Sequence, residues 1–259
     1  SRTAPEEGEV EVRVRAIGLN FRDVLNVMGL YPGDPGPPGS DFAGTIVRIG
    51  PGVEGWRVGD DVLGIAPGCL RTYARTLGSL IGKKPRNVTF EEAASIPTVW
   101  STVDVALREL ARVRAGDKVL VHAAAGGVGY AAVQYCFTVG AIPYCTVGSE
   151  AKGEYLKSLG VQHLASSRDA SLFMKQMKET LGPDGRVDVV LNSLSDDFIS
   201  GSLGLLREGG HFLEIGKRNI WKKEGMAQER SDVQYHIVAV DEMLKDDPEW
   251  FGNVLGGLR

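Results

Sequence analysis

The chain has 259 residues, enough for one large or two small domains with a sizeable core. Hydrophobic residues make up 43% and charged residues 24%, as in water-soluble globular proteins, and a formal net charge of −4 argues against nucleic acid or an anionic membrane as partner. No apolar run approaches the roughly 20 residues that span a bilayer, the polar start Ser1–Glu7 is no signal peptide, and the scattered Cys69, Cys136 and Cys145 do not suggest a zinc site. The cysteines read as free thiols of a reducing, cytoplasmic compartment.

In chain order, Glu9–Ala16 alternates apolar and charged residues and predicts a half-exposed antiparallel strand. A short helix is expected from Asn20 or Phe21, with Val24, Leu25 and Met28 inward and Gly29 as its stop. The Pro/Gly-rich stretch from Pro32 to Gly39 suits a loop at the rim of a site. Asp41–Ile49, Val58–Gly64, Leu70–Leu77 and Ser79–Lys83 read as short strands of a barrel-like β domain. Thr89 and Glu92 form a capping-box pattern for a helix ending before Pro97, and Trp100–Val113 predicts a longer helix. The boundary falls near Ile96–Thr98, giving a β-rich domain over 1–97 and a second domain over 98–259.

From Lys118 onward strand and helix patterns alternate. Strands are expected at Lys118–Val121, Ile142–Val147, His163–Ala165, Val187–Asn192, Gly210–Gly216 and Tyr235–Val240, with helices at Glu150–Leu159, Ala170–Leu181, Asp197–Leu206 and Pro248–Leu258. This is an α/β pattern, a doubly wound parallel sheet that binds ligand at the carboxyl ends of its strands. The charged stretch Trp221–Ser231 reads as a loop.

The first strand runs into Ala124-Ala125-Gly126-Gly127-Val128-Gly129 and then a helix. Against the dinucleotide pattern G-x-G-x-x-G, Ala124 replaces the first glycine, while Gly126 and Gly129 keep the second and third. A helix N-terminus behind such a turn offers N–H groups and positive dipole to a pyrophosphate. No acid stands at the second strand's tip, Thr146-Val147-Gly148-Ser149. Ser149, Lys152, Ser167 and Arg168 suit a ribose 2′-phosphate, so NADPH is the expected cofactor, although Glu150 keeps NADH open. Buried in its strand, His122 reads as a satisfied core residue. Lys217 and Asp241 follow the fifth and sixth strands at the carboxyl edge, where ligands bind and a carboxylate could hold an ammonium charged and positioned. A surface ion pair would produce the same pattern.

Asn20–Leu25, His122–Gly129, Ala165–Asp169, Val189–Leu194 and Phe212–Lys217 together resemble the enoyl reductase domain of type I polyketide synthases and animal-type fatty acid synthases. These form a quinone-oxidoreductase-like branch of the medium-chain dehydrogenase/reductase superfamily. The resemblance implies a GroES-like substrate domain followed by a Rossmann domain, NADPH, and no metal. It implies hydride transfer to an enoyl thioester carried on the phosphopantetheine arm of an acyl carrier protein, among neighbouring synthase domains. Lys217, Asp241 and Tyr31 are the implied catalytic residues. Cofactor contacts are expected from Asn20 and Thr102, from Ala125, Gly126, Gly127, Val128 and Gly129 in the turn, and from Asn192, Leu194, Gly216 and Lys217 at the strand tips. Asp23 matches the same segment as Asn20, but Arg22-Asp23 is equally an ion-pair pattern, and Thr102 equally a helix-start residue. Related reductases dimerise through the Rossmann sheet edge, which points to Tyr235–Val240 for a homodimer. Against the family pattern the chain reads as truncated at both ends, without the closing return to the substrate domain. Two other readings stay open: a free-standing quinone oxidoreductase and a catalytically silent nucleotide-binding domain.

Overall fold

The computed structural model describes residues 3–31, 34, 36–183, 185–217 and 219–257. The chain divides into two compact units, Ser1–Ser101 with Val240–Arg259, and Thr102–Ala239. Of the predicted rim loop, residues 32, 33 and 35 lie outside the described residues.

The first unit is an antiparallel sheet of β1 (Glu9–Gly18), β2 (Asp41–Ile49), β3 (Asp61–Ile65), β4 (Tyr73–Leu77) and β5 (Ile81–Lys83), ordered β4-β1-β2-β3-β5. Alternation along β1 follows its sequence except at Glu11, which is buried like its neighbours. Val10 and Val12 are fully buried and pack with Phe42, Ile46, Val62 and Ile81. On the other face Glu11 lies in register with Arg48, which grips its carboxylate with Nε and Nη2, both at 2.6 Å. Two register shifts in β1 bend the strand.

Helix α1 (Phe21–Val27) forms where expected but turns a different face inward. Asp23 and Leu25 are buried, while Val24 and Met28 are 47% and 63% exposed. The reason is polar: the Asp23 carboxylate accepts the N–H groups of Asn20 (2.9 Å) and Gly39 (3.0 Å), which fixes that side of the helix against the sheet. Helix α2 (Phe90–Ala94) carries the predicted capping box, with Glu92 N–H on Thr89 Oγ1 and Thr89 N–H on Glu92 Oε2. Helix α3 (Pro97–Val103) begins three residues earlier than the hydrophobic pattern suggests and continues as a π-helical turn, Asp104–Leu110. Pro97 suits a first helical position, and buried Asp41 takes up the next donors, Thr98 N–H at 2.9 Å and Thr98 Oγ1 at 2.6 Å.

The second unit contains β6 (Lys118–Val121), α4 (Gly127–Val139), β7 (Ile142–Val147), α5 (Glu150–Ser158), β8 (His163–Ser166), α6 (Ala170–Leu181), β9 (Val187–Asn192), α7 (Asp197–Leu205), β10 (Leu206–Glu214), α8 (Lys223–Glu229) and β11 (Gln234–Ile237). All strand pairs are parallel and the order is β8-β7-β6-β9-β10-β11. Counted from β6 this is 3-2-1-4-5-6, with its switch point between β6 and β9. Leu120, Phe173, Met177, Val190, Ile199 and Phe212 build the core.

Two expectations fail here. The predicted helix end at Leu206 is already strand, with Gly209 at φ 66° inside an irregular stretch of β10. The charged segment 221–231 holds α8, anchored by Met226, which is 1% exposed in the core. Its single apolar anchor is too weak a signal to show above the charges.

The largest departure is at the end of the chain. Strand β11 stops at Ile237, and α9 (Val240–Asp246) and α10 (Pro248–Gly257) return to the first unit. Val240–Arg259 thus groups with the first unit and the parallel sheet lies within Thr102–Ala239, where the sequence suggested one boundary near residue 98. Small residues permit that grouping. A Cβ on Gly252 would lie 2.5 Å from Ser79 O, and one on Gly82 would lie 3.2 Å from Leu255 Cβ.

Candidate active site

The turn after β6 is set by its neighbour strand. Ala123 N–H donates to Thr146 Oγ1 (3.0 Å) and Ala124 N–H to Thr146 O (2.9 Å), and Ala123 takes the left-handed φ of 48°. Gly126 caps α4, and Tyr130 N–H bonds Gly126 O, which leaves the N–H groups of Gly127, Val128 and Gly129 as the helix's first-turn donors. Ala125, Gly126, Gly127 and Val128 are solvent-accessible, whereas Gly129 is buried. A Cβ at Gly129 would lie 2.6 Å from both Ala123 O and Ala124 Cα, so only glycine lets helix and strand approach this closely.

Beneath the turn, His122 is buried, with Nδ1 3.1 Å from Thr146 Oγ1 and Nε2 2.7 Å from Ser202 Oγ. Both ring nitrogens are satisfied inside the core, and burial pushes the imidazole pKa down to about 3. The folded state keeps His122 neutral while the unfolded chain protonates it at its ordinary value. Stability linked to His122 is thus lost as pH falls from that value toward 3, at up to about 1.4 kcal/mol per pH unit. Asp41 and Glu214, raised by burial to about 6 and about 7, act in the opposite sense: their contribution is complete below the ordinary carboxylate range and is lost as pH rises through those values. Urea midpoints measured between pH 6.5 and 4.5 should therefore gain a steeper rise on acidification in His122→Gln than in the unsubstituted protein. Parallel profiles would contradict this.

At the tip of β7, Ser149 caps α5 without using its hydroxyl, and Lys152 is exposed on that helix. Ser167 N–H bonds Val147 O (2.9 Å), and Arg168 N–H bonds Ser166 Oγ (3.1 Å). The Arg168 guanidinium lies over the strand tip, where a Cβ on Gly148 would come within 2.7 Å of its Nε. Here a cleft of about 660 Å³ is lined by Gly148, Ser149, Ser166 and Arg168, and also by Glu150 and Glu154. Lys157 pairs with Glu154 at 2.8 Å.

The tips of β9 and β10 are tied together. Asn192, fully buried, donates from Nδ2 to Leu194 O and to Glu214 Oε2, both at 2.7 Å. Glu214 is fully buried too, and its Oε1 accepts Gly216 N–H at 2.6 Å. Sequence reasoning passed over Glu214, because an acid ending a strand gives no sign that both its oxygens are engaged inward. Lys217 follows, exposed.

In the first unit, Tyr31 Oη donates to Asp241 Oδ2 at 3.4 Å, and Arg22 stacks over the Tyr31 ring at 5.3 Å. Asp241 stands in the first turn of α9 rather than at a strand tip. Asn20 caps α1. Thr102 is buried inside α3 and does not open it. Among the described residues no three His, Cys, Asp or Glu side chains cluster as metal ligands, and no helix is long and apolar enough to cross a membrane.

Residues 6–102 match the family described as alcohol dehydrogenase GroES-like domain, and residues 127–237 that described as zinc-binding dehydrogenase. The solved CurK enoyl reductase superposes with a TM-score of 0.90 at 38% identity, over 98% of this chain and 79% of that one. The chain belongs to the enoyl reductases of the medium-chain dehydrogenase/reductase superfamily. Polyketide synthase GfsB of Streptomyces halstedii is 45% identical to this enoyl reductase over 243 residues, which are 93% of this chain and 4% of the synthase. Escherichia coli quinone oxidoreductase complexed with NADPH is 26% identical with a TM-score of 0.82, over 99% of this chain and 82% of that one.

Proposed function

We propose that this chain is the NADPH-dependent enoyl reductase of a polyketide synthase, reducing the α,β-double bond of an enoyl thioester presented by an acyl carrier protein among neighbouring synthase domains. The likeness to a solved enoyl reductase over 98% of the chain carries the reading. The residues fit the cofactor. Gly129 gives the close helix–strand approach that a pyrophosphate turn needs, the first-turn N–H groups of α4 can hold the phosphates, and Arg168 over Gly148 offers a cation where a ribose 2′-phosphate would lie. Ser149, Lys152 and Ser167 add donors at that corner.

Bound there, NADPH supplies a hydride for the β-carbon of the substrate. The chain's own residues deal with the charge and proton that follow. The Lys217 ammonium stabilises the enolate oxygen, and the Tyr31 hydroxyl, held near Asp241, turns its proton from that carboxylate to the α-carbon. Arg22 stacked on the ring restrains the phenol further.

The test follows NADPH absorbance with crotonyl-pantetheine thioester and, separately, a naphthoquinone. Oxidation should be driven by the thioester. Lys217→Ala should lower kcat by about 100-fold or more, and Tyr31→Phe should lower it while leaving NADPH affinity unchanged. Turnover of the quinone alone would make the chain a quinone oxidoreductase. Tight NADPH binding with neither substrate turned over would make it a silent domain.

A further inference from the structure

In a doubly wound sheet of this order, two mononucleotide halves meet at the switch point. On the cofactor reading above, β6, β7 and β8 with Arg168 would hold the adenosine half, and β9, β10 and β11 the nicotinamide half. In the second half two strand-end loops leave the sheet side by side, Asn192-Ser193-Leu194 after β9 and Ile215-Gly216-Lys217 after β10. Both are fastened to one side chain. Glu214, the last residue of β10, gives Oε2 to Asn192 Nδ2 at 2.7 Å and Oε1 to Gly216 N–H at 2.6 Å. Asn192 passes the restraint on, donating to Leu194 O at 2.7 Å and accepting Leu194 N–H at Oδ1, 3.3 Å away. The backbone of the two strands adds Ile215 N–H to Asn192 O at 2.9 Å.

We infer that Glu214 is a positioning residue for the nicotinamide end of the cofactor, a buried clasp that sets the Asn192–Leu194 loop against the Gly216–Lys217 loop. Once Glu214 is ionised, above about pH 7, the contacts suit a carboxylate. Both groups facing it are donors, so it must accept on both oxygens. A glutamine keeps the shape but turns an NH₂ toward one of them, leaving two donors face to face in a site without solvent. Gly216 is part of the same device, since a Cβ there would lie 2.6 Å from Glu214 Oε1. The catalytic candidate Lys217 is the next residue along, so the clasp fixes the backbone from which it projects.

This inference rests on the cofactor reading above, and the experiment keeps the two apart. Affinities for NADP⁺ and for adenosine 2′,5′-bisphosphate, which lacks the nicotinamide half, are measured by calorimetry on the unsubstituted protein, Glu214→Gln and Asn192→Ala. Glu214→Gln should weaken NADP⁺ about tenfold or more and leave the bisphosphate within about twofold. Asn192→Ala should do the same from the other end of the clasp, and the double variant should lose little beyond either alone. A structural role without positioning would lower the melting temperature and leave the ratio of the two affinities unchanged. An unchanged ratio in both variants, or additive losses, would overturn the inference while leaving the cofactor reading intact. Failure of the unsubstituted protein to bind either ligand would overturn the cofactor reading and the inference with it.

Discussion

Gly129→Ala is expected to destabilise the second unit by about 3 kcal/mol and to weaken NADPH binding at least about 100-fold. The added methyl would lie 2.6 Å from Ala123 O, 2.6 Å from Ala124 Cα and 3.0 Å from Ala124 C, and all three are backbone atoms. No side chain can swing aside. The strand end is pinned by Thr146 through two bonds, and the helix start follows directly from Gly126. Relief must come from moving α4 away from β6, which displaces the first-turn N–H groups that would hold the pyrophosphate. Gly204→Ala is the control. It sits in α7 with nothing within 4 Å of the added Cβ, so helix propensity should stabilise the protein by about 0.5–1 kcal/mol. Thermal melts and NADPH titrations of the two variants decide the matter. A Gly129→Ala protein that binds NADPH normally would show that the turn does not hold the cofactor.

The comparison also shows what a sequence can reveal. Periodicity located nearly every strand, because alternation in β1 and the short apolar runs at β6, β7 and β9 follow directly from which faces are buried. The glycine turn was legible because a close backbone approach leaves few choices of residue. What escaped were features decided by a partner distant in sequence. Nothing in residues 240–257 shows that they return to the first unit, since the contacts that allow it, Gly252 on Ser79 and Gly82 on Leu255, lie some 170 residues apart in the chain. Asp23 looked like half of an ion pair and is a cap for backbone donors. Glu214 carried no role in the sequence reading, and only the structure shows it facing Asn192. Tyr31, through a family resemblance, and Asp241, through its place after the sixth strand as well, were singled out separately 210 positions apart, and only the fold shows that they share a hydrogen bond.

Arg168→Ala should shift the nucleotide preference and little else. The guanidinium lies against the backbone at Gly148, close enough that any side chain there would displace it, and it forms no ion pair with a carboxylate of the described residues. A planar fork of donors held at the strand tip matches a phosphate dianion, and charge-assisted bonds of this kind are worth about 10- to 100-fold in affinity. NADPH should therefore weaken by that factor in Arg168→Ala, while NADH, which presents a hydroxyl at the same point, changes by less than about threefold. Adding salt should narrow the difference between the unsubstituted protein and the variant, because the site is open to solvent. Glu150 and Glu154 on the cleft wall bear on the same balance. Lys157 on the same wall pairs with Glu154, so removal of Arg168 exposes the incoming dianion chiefly to Glu150. Glu150→Gln in the Arg168→Ala background should accordingly recover part of the lost NADPH affinity without altering NADH. Equal losses for both nucleotides would place Arg168 in the general integrity of the β7–β8 corner. An unchanged NADPH affinity would move the 2′-phosphate contact to Ser149 and Lys152.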